Sequence, residues 1–331
     1  MREAHGLPRS RPPRLAGVTA ASPFASLLAE LPIRREVVSV LGSETAYWVY
    51  GPDDAATTIV ISHGYRGEHH GLEPVIAQLR GVRIIGPDLP GFGESTPLTE
   101  AGHDIAGYAA WYAGFLDALG LNGTAIVLGH SFGSMVTSTA IASGLVRTPQ
   151  LILVNPIAAS ALEGPSRFLT RGTVLYYRLA MLLPERAGHA LLDNWVVIRF
   201  MSLALVKTKD RTLRRFVHDQ HHTYFGRFAN RSVVVEGFDA SISNDVTSVA
   251  SGLTMPTLLL GAEHDAITTV LQMEQLRDQL DDATLHIIPD VGHLIHYEKS
   301  REAAGFIVDF LLATDPASAV RLAESQPATR S

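Results

Sequence analysis

The stretch Ile126-Val127-Leu128-Gly129-His130-Ser131-Phe132-Gly133-Ser134 decides how the rest of the chain is read. Three apolar residues run into Gly129-His130-Ser131-Phe132-Gly133, a G-x-S-x-G pentapeptide, and a helix-like pattern from Met135 to Leu145 follows at once. A strand that turns abruptly into a helix pushes one side chain out above the sheet edge. The turn is tight, so its flanking positions, Gly129 and Gly133, must be small for the two backbones to approach. Ser131 then stands exposed in strained geometry. A serine hydroxyl is a poor nucleophile until a neighbouring base takes its proton, so this reading demands a histidine and an acid elsewhere in the chain. Alone the pentapeptide is a weak signal, because five-residue matches in common residues arise by chance.

The 331 residues suffice for one large α/β domain carrying an insertion, or for two ordinary domains. A hydrophobic fraction of 46% with 18% charged residues describes a folded, soluble protein. A net charge of −6 offers no overall basic field to gather phosphates, which argues against general nucleic-acid binding. The charge is unevenly spread: Glu163 to Arg231 holds 12 Arg or Lys against 5 Asp or Glu, a net of +7, leaving −13 for the rest. The chain has no cysteine, which excludes disulfides, thiolate metal sites and cysteine nucleophiles and fits a reducing compartment. Arg2, Arg9, Arg11 and Arg14 lie among Pro8, Pro12 and Pro13 without a continuous apolar run, so residues 1–30 read as a disordered tail and not a signal peptide. No apolar run reaches the roughly eighteen residues of a membrane span, and a cytoplasmic location is expected.

Glu36 to Val40 and Glu44 to Tyr50 read as an opening antiparallel hairpin. Buried strands are expected at Thr57–Ser62, Val82–Ile85, Ala125–Leu128, Leu151–Val154, Thr257–Leu260 and Thr284–Ile288. Helical spacing marks Gly71–Leu79, Asp104–Leu119, Val270–Leu280 and Ser300–Leu312. This alternation calls for a mostly parallel sheet with helices on both faces. Between Ala158 and Val249 it stops, and amphipathic stretches near Leu175–Leu183, Ala190–Val206 and Leu213–His222 replace it. The expected organisation is an α/β core of residues 31–157 and 250–313, interrupted by an all-helical cap at 158–249 and followed by a flexible tail at 314–331.

In an open parallel sheet, function collects where the carboxyl ends of the strands meet their loops. His63-Gly64-Tyr65, Asp88, Ser131, Asn155, Asp265 and His293 each follow closely on an apolar strand. The chain resembles, from about Glu36 to Leu312, an α/β-hydrolase-fold serine hydrolase with a helical cap. The family's order of nucleophile, acid and histidine is matched by Ser131, Asp265 and His293, and Asp88-Leu89-Pro90-Gly91-Phe92-Gly93-Glu94-Ser95 resembles a segment of its cap-bearing members. The resemblance implies that His293 takes the Ser131 proton as the hydroxyl attacks a carbonyl carbon, and that Asp265 holds the histidine's tautomer and stabilises its protonated form. Backbone N–H groups of Phe132 and Tyr65 are the expected oxyanion donors. No cofactor or metal is needed.

Rival assignments exist. His296 could replace His293, and Glu263 or His264 could replace Asp265. His130 is expected to pack within the turn and not to act as base. His218, His221 and His222, with Asp219, have helical spacing that could bind a metal, yet no matching ligand group stands elsewhere, so an exposed polar helix face is expected. Gly91-Phe92-Gly93 lacks the third glycine of a dinucleotide fingerprint, Thr96 standing in its place.

A serine at the turn argues against the aspartate-dependent dehalogenases and epoxide hydrolases of this fold. Acyl transfer remains: hydrolysis of a carboxylic ester or related acyl bond, or cleavage of a carbon–carbon bond in a vinylogous diketone. A hydrolase-fold binding protein without turnover is the alternative from another class. Substrate choice is expected in the cap, where Phe168, Tyr176, Tyr177, Trp195, Phe200, Phe216, Tyr224 and Phe228 suggest a largely apolar chamber over Ser131, most of them being expected in the core of the cap itself. Its positive charge would suit a small acyl substrate with an anionic group, or equally form a solvated surface or pair with the acidic core. Oligomeric state is not legible.

Overall fold

The computed structural model describes residues 20–160 and 167–324. Its strands are β1 (Ile33–Val40), β2 (Ser43–Tyr50), β3 (Thr58–Ser62), β4 (Leu79–Arg80), β5 (Arg83–Pro87), β6 (Ile126–His130), β7 (Leu151–Val154), β8 (Thr257–Ala262), β9 (Ala283–Ile288) and β10 (Arg321–Leu322). Eight of them form one sheet in the order β1-β2-β5-β3-β6-β7-β8-β9. The β1–β2 and β2–β5 pairs are antiparallel and all later pairs are parallel. The hairpin turns at Leu41 and Gly42, both with positive φ (48° and 75°), the twist that a two-residue turn between strands requires.

The helices are α1 (Ala25–Ala29), α2 (Glu73–Ile76), α3 (Ile105–Ala118), α4 (Phe132–Ala142), α5 (Arg167–Leu182), α6 (Glu185–Leu192), α7 (Trp195–Leu205), α8 (Arg211–Tyr224), α9 (Arg231–Ser243), α10 (Val270–Arg277), α11 (Ile295–Glu298) and α12 (Ser300–Thr314). Strand alternation divides the core into two layers. Val60, Val127, Leu151 and Leu153 point to the side where α3 and α4 supply Trp111, Phe115, Met135 and Val136. Ile59, Ile61, Ile126, Leu128 and Ile152 point to the other, where α2 and α12 supply Val75, Ile76, Ile307 and Leu311. With both faces covered, β3, β6, β7 and β8 are buried along their whole length, and this is why each reads as a continuous apolar run.

Helices α5 to α9 all fall between β7 and β8 and are tied to the core by their backbone. Gly93 N–H donates to the Arg227 carbonyl (3.0 Å) and Ala229 N–H to that of Gly91 (2.9 Å). The Tyr65 hydroxyl donates to the Val234 carbonyl (2.6 Å), and the buried Arg66 guanidinium donates to the carbonyls of Leu192 and Phe225. These bonds set the helices beside the carboxyl ends of β3 and β5.

Both tails depart from expectation where they are described. Phe24 packs edge-on against Phe216 of α8, and Ala20 N–H donates to Asp219 (3.0 Å), so residues 20–30 are ordered by contact with a distant helix. Past α12, β10 pairs antiparallel with β4, and Val320 and Ala323 are buried. Two apolar residues in an Ala-, Ser- and Pro-rich stretch suffice for this, and they carry no periodic signal. The same pairing corrects Gly71–Leu79: α2 is one short turn, and Leu79 belongs to a strand. Residues 1–19 and 325–331 lie outside the described residues.

The turn at Ser131 sets its own packing limits. A Cβ on Gly133 would collide with the carbonyl of Ser62, and one on Gly129 would sit 2.5 Å from Thr137 Oγ1 and 2.6 Å from Ser134 Cα. Backbone cannot yield as a flexible side chain can, so Gly133→Ala is expected to cost about 4 kcal/mol or more. Urea unfolding is the measurement, and wild-type stability in this variant would refute the close packing.

Candidate active site

Ser131 follows β6 with φ 51° and ψ −118°, a left-handed backbone that costs a non-glycine residue on the order of 1–3 kcal/mol. Neighbours hold it there. Its N–H donates to the Val154 carbonyl (3.0 Å), and its own carbonyl accepts from the N–H (2.9 Å) and hydroxyl (2.5 Å) of Ser134. The side chain is thereby aimed at the loop after β9. There His293 Nε2 lies 2.8 Å from Ser131 Oγ, and His293 Nδ1 lies 2.8 Å from Asp265 Oδ2.

Asp265, after β8, is almost wholly buried and receives a full set of donors. Oδ1 accepts from Ile267 N–H (2.8 Å) and Thr268 N–H (3.4 Å), while Oδ2 accepts from Asn155 Nδ2 (3.0 Å) as well as from His293. Burial pushes its pKa up, but the neighbouring His293 and these hydrogen bonds outweigh it, so the carboxyl is held below its ordinary value. A carboxylate kept ionised beside one ring nitrogen fixes the histidine tautomer, leaving the other nitrogen free to accept the serine proton.

Tyr65 and Phe132 line the same cavity as Ser131. Phe132 is the first residue of α4, where a backbone N–H has no helical acceptor. Gly64 is so close to the turn that a Cβ on it would lie 3.3 Å from Ser131 Cβ, which brings the Tyr65 backbone alongside. His63 fixes that loop: its Nδ1–H donates to the Gly64 carbonyl (2.9 Å) and its Nε2 accepts from Leu89 N–H (2.8 Å), both ends of one neutral imidazole. Burial lowers the pKa of His63.

Rival residues are placed elsewhere. His296 is buried against the ring of His130 (4.1 Å between centroids), while His293 holds the bond to Ser131. Glu263 and His264 face solvent. His130 is inside the protein as expected, and burial, with His293 and His63 nearby, takes its pKa down to about 3. The helix-face expectation for α8 fails: His218 and His221 are buried, with their Nδ1 atoms 2.6 Å and 2.7 Å from the Ser202 hydroxyl. Leu213, Val217 and His221 share one face at four-residue spacing, and that stripe was the available signal.

A cavity of about 290 Å³ opens at Ser131 and His293. Met135, Ile157, Met201, Leu205, Ile242 and Leu294 make much of its wall apolar. Among the described residues its lining contains no Arg or Lys, and its charged side chain is Glu68, whose Oε1 faces His70 Nδ1 (2.5 Å). Sequence reading passed over Glu68, and Asn155 was noted only for its place after a strand. Of the eight aromatics of this segment, Tyr224 lines the cavity, Tyr177, Phe216 and Phe228 are buried, Tyr176 is half-buried with its hydroxyl donating to the Leu191 carbonyl, Trp195 and Phe200 are exposed, and the side chain of Phe168 lies outside the described residues.

A doubly wound sheet with a serine on a strained strand-to-helix turn, hydrogen-bonded through histidine to a buried aspartate, defines a hydrolase class. Residues 59–306 match the model of the alpha/beta hydrolase family, and the chain belongs to that family. It is 28% identical over 270 residues to a protein of Variovorax paradoxus provisionally named carbamate hydrolase RutD, covering 80% of this chain and 95% of that one. It is 25% identical over 276 residues to a 2-hydroxy-6-oxononadienedioate/2-hydroxy-6-oxononatrienedioate hydrolase of Cupriavidus pinatubonensis, covering 82% and 87%. Among solved structures, an esterase of Thermogutta terrifontis superposes with a TM-score of 0.63 at 21% identity, over 85% of this chain and 99% of that one, a likeness of fold.

Proposed function

We propose that the chain is a serine hydrolase of carboxylic esters or closely related acyl substrates. The observation that carries this reading is the unbroken line from Ser131 Oγ through His293 to Asp265, both links 2.8 Å, at the edge of an apolar cavity. In the first step Ser131 Oγ bonds to the acyl carbon, His293 Nε2 takes the hydroxyl proton, and the N–H groups of Tyr65 and Phe132 receive the oxyanion. Collapse expels the alcohol, which leaves with the proton from His293. Water then repeats the sequence on the acyl-enzyme and releases the acid. With no Arg or Lys among the described residues of the cavity lining, an uncharged acyl chain fits better there than an anionic one.

A fluorophosphonate probe is expected to label the wild type and not Ser131→Ala. An unlabelled wild type that also hydrolyses no short nitrophenyl ester would favour a binding protein of this fold. Asn155→Ala removes one donor from the buried carboxylate and is expected to lower kcat about tenfold with little change in KM. An unchanged kcat would remove Asn155 from the positioning of Asp265.

Carbon–carbon bond hydrolysis is the second reading, favoured by the 2-hydroxy-6-oxononadienedioate/2-hydroxy-6-oxononatrienedioate hydrolase relative. It uses the same nucleophilic line. Turnover of vinylogous diketones with nitrophenyl esters left intact would select it.

A further inference from the structure

Helix α7 is turned the wrong way for a helix in water. Trp195, Val196, Phe200 and Leu203 are each more than half exposed, and their spacing gathers them with Arg199 on one outward face. Its inward face holds the fully buried Ser202 between two histidines. On α5, Leu175 and Leu182 are more than two-thirds exposed, with Leu179 and Arg178 along the same side. Isolated apolar side chains are ordinary at a surface, but repeated outward stripes mark a face that meets something apolar.

The charge on these helices says what. The segment from Glu163 to Arg231 holds 12 basic residues against 5 acidic ones in a chain of net charge −6. Arg178, on the same side of α5 as its stripe, is exposed, and so are Lys207, Lys209 and Arg211, which follow α7 directly. A second copy of the chain would bring an equal positive excess against this one, and like charges oppose that pairing. Anionic lipid complements both features, since its headgroups attract Lys and Arg and its acyl region takes up Trp, Phe and Leu.

We infer that the outward faces of α7 and α5 form a peripheral docking surface for an anionic lipid bilayer. Trp195, Phe200 and Leu203 enter the interface, and Arg178, Arg199 and the 207–211 cluster engage the headgroups. Met201 and Leu205 of the same helix line the Ser131 cavity, so docking sets the cavity wall against the lipid. If the acyl-hydrolase reading holds, substrate partitioned into the bilayer is the class delivered there.

The test is cosedimentation of the full chain with phosphatidylcholine vesicles, with and without phosphatidylglycerol, together with tryptophan emission. Wild type is expected to partition onto the phosphatidylglycerol vesicles at low salt, with a blue shift that Trp195→Phe abolishes. Salt, or the double substitution Arg178→Gln/Arg199→Gln, is expected to weaken the partition about tenfold or more, and so is Trp195→Glu/Phe200→Glu. An unchanged circular dichroism spectrum checks that each variant is folded. No partition by the wild type, or equal partition onto neutral vesicles, would overturn the inference. So would a dimer, seen by sedimentation equilibrium, that Trp195→Glu/Phe200→Glu dissolves while vesicles are ignored. Partition needs no turnover, so fluorophosphonate labelling of the same samples keeps the fate of the hydrolase reading separate.

Discussion

Ser131→Ala is expected to lower kcat toward a nitrophenyl ester by on the order of 10⁴–10⁶-fold. The variant keeps the cavity and both proposed backbone donors, so KM should change little and some rate above water should remain. The loss follows from the geometry: Ser131 Oγ is the atom at which His293 Nε2 points, 2.8 Å away. His293→Ala should cost about as much, and the double variant no more than either single one, because nucleophile and base act as a unit. Additive losses, or ester turnover surviving Ser131→Ala, would place the chemistry elsewhere. In the proposed mechanism Phe132 and Tyr65 act through their backbone, so side-chain substitution there should be far milder.

Acid should unfold this protein early. Burial, with neighbouring histidines, takes the pKa of His130 and of His221 down to about 3, whereas an unfolded histidine titrates near 6.5. Above that pH both states are neutral and the groups are silent. Below it the unfolded chain takes up protons that the fold refuses, so stability falls as pH drops toward the folded values. Each such group removes about 1.4 kcal/mol per pH unit in that window. The pair therefore amounts to a loss of about 5 kcal/mol between pH 6.5 and 4.5, comparable with the whole stability of many domains. Asp265 adds nothing there: its pKa is lowered, so its contribution stays in place above the ordinary carboxyl range and disappears only in stronger acid. Urea midpoints at pH 7.5 and 4.5 measure the effect, and His221→Asn should flatten the slope by one proton. Equal midpoints would mean that these histidines are protonated within the fold.

The family was legible in the sequence because its constraints are local. Gly129 and Gly133 must be small at a collision point, the apolar strands must run unbroken where both faces are covered, and the chain order of Ser131, Asp265 and His293 survives any packing detail. The meeting of those three in one hydrogen-bonded line needed coordinates. What the sequence concealed depends on partners far along the chain. β10 exists because β4 offers it an edge, and Phe24 is held by Phe216. The α8 histidines misled because imidazole suits water and core alike, and only the stripe of Leu213 and Val217 signalled the inward face.

The bonds from Gly93 to Arg227 and from Ala229 to Gly91 bear on traffic. Chain order alone suggests a flap hinged at two points, after β7 and before β8. With Tyr65 and Arg66 also gripping carbonyls of α6, α9 and the residue after α8, the segment is pinned at several points between its two ends and makes a vault rather than a door. Small molecules must then pass through seams between individual helices, by side chains such as Met201 and Leu205 stepping aside, and the width of those seams, more than any swing of the whole roof, would set how fast product escapes.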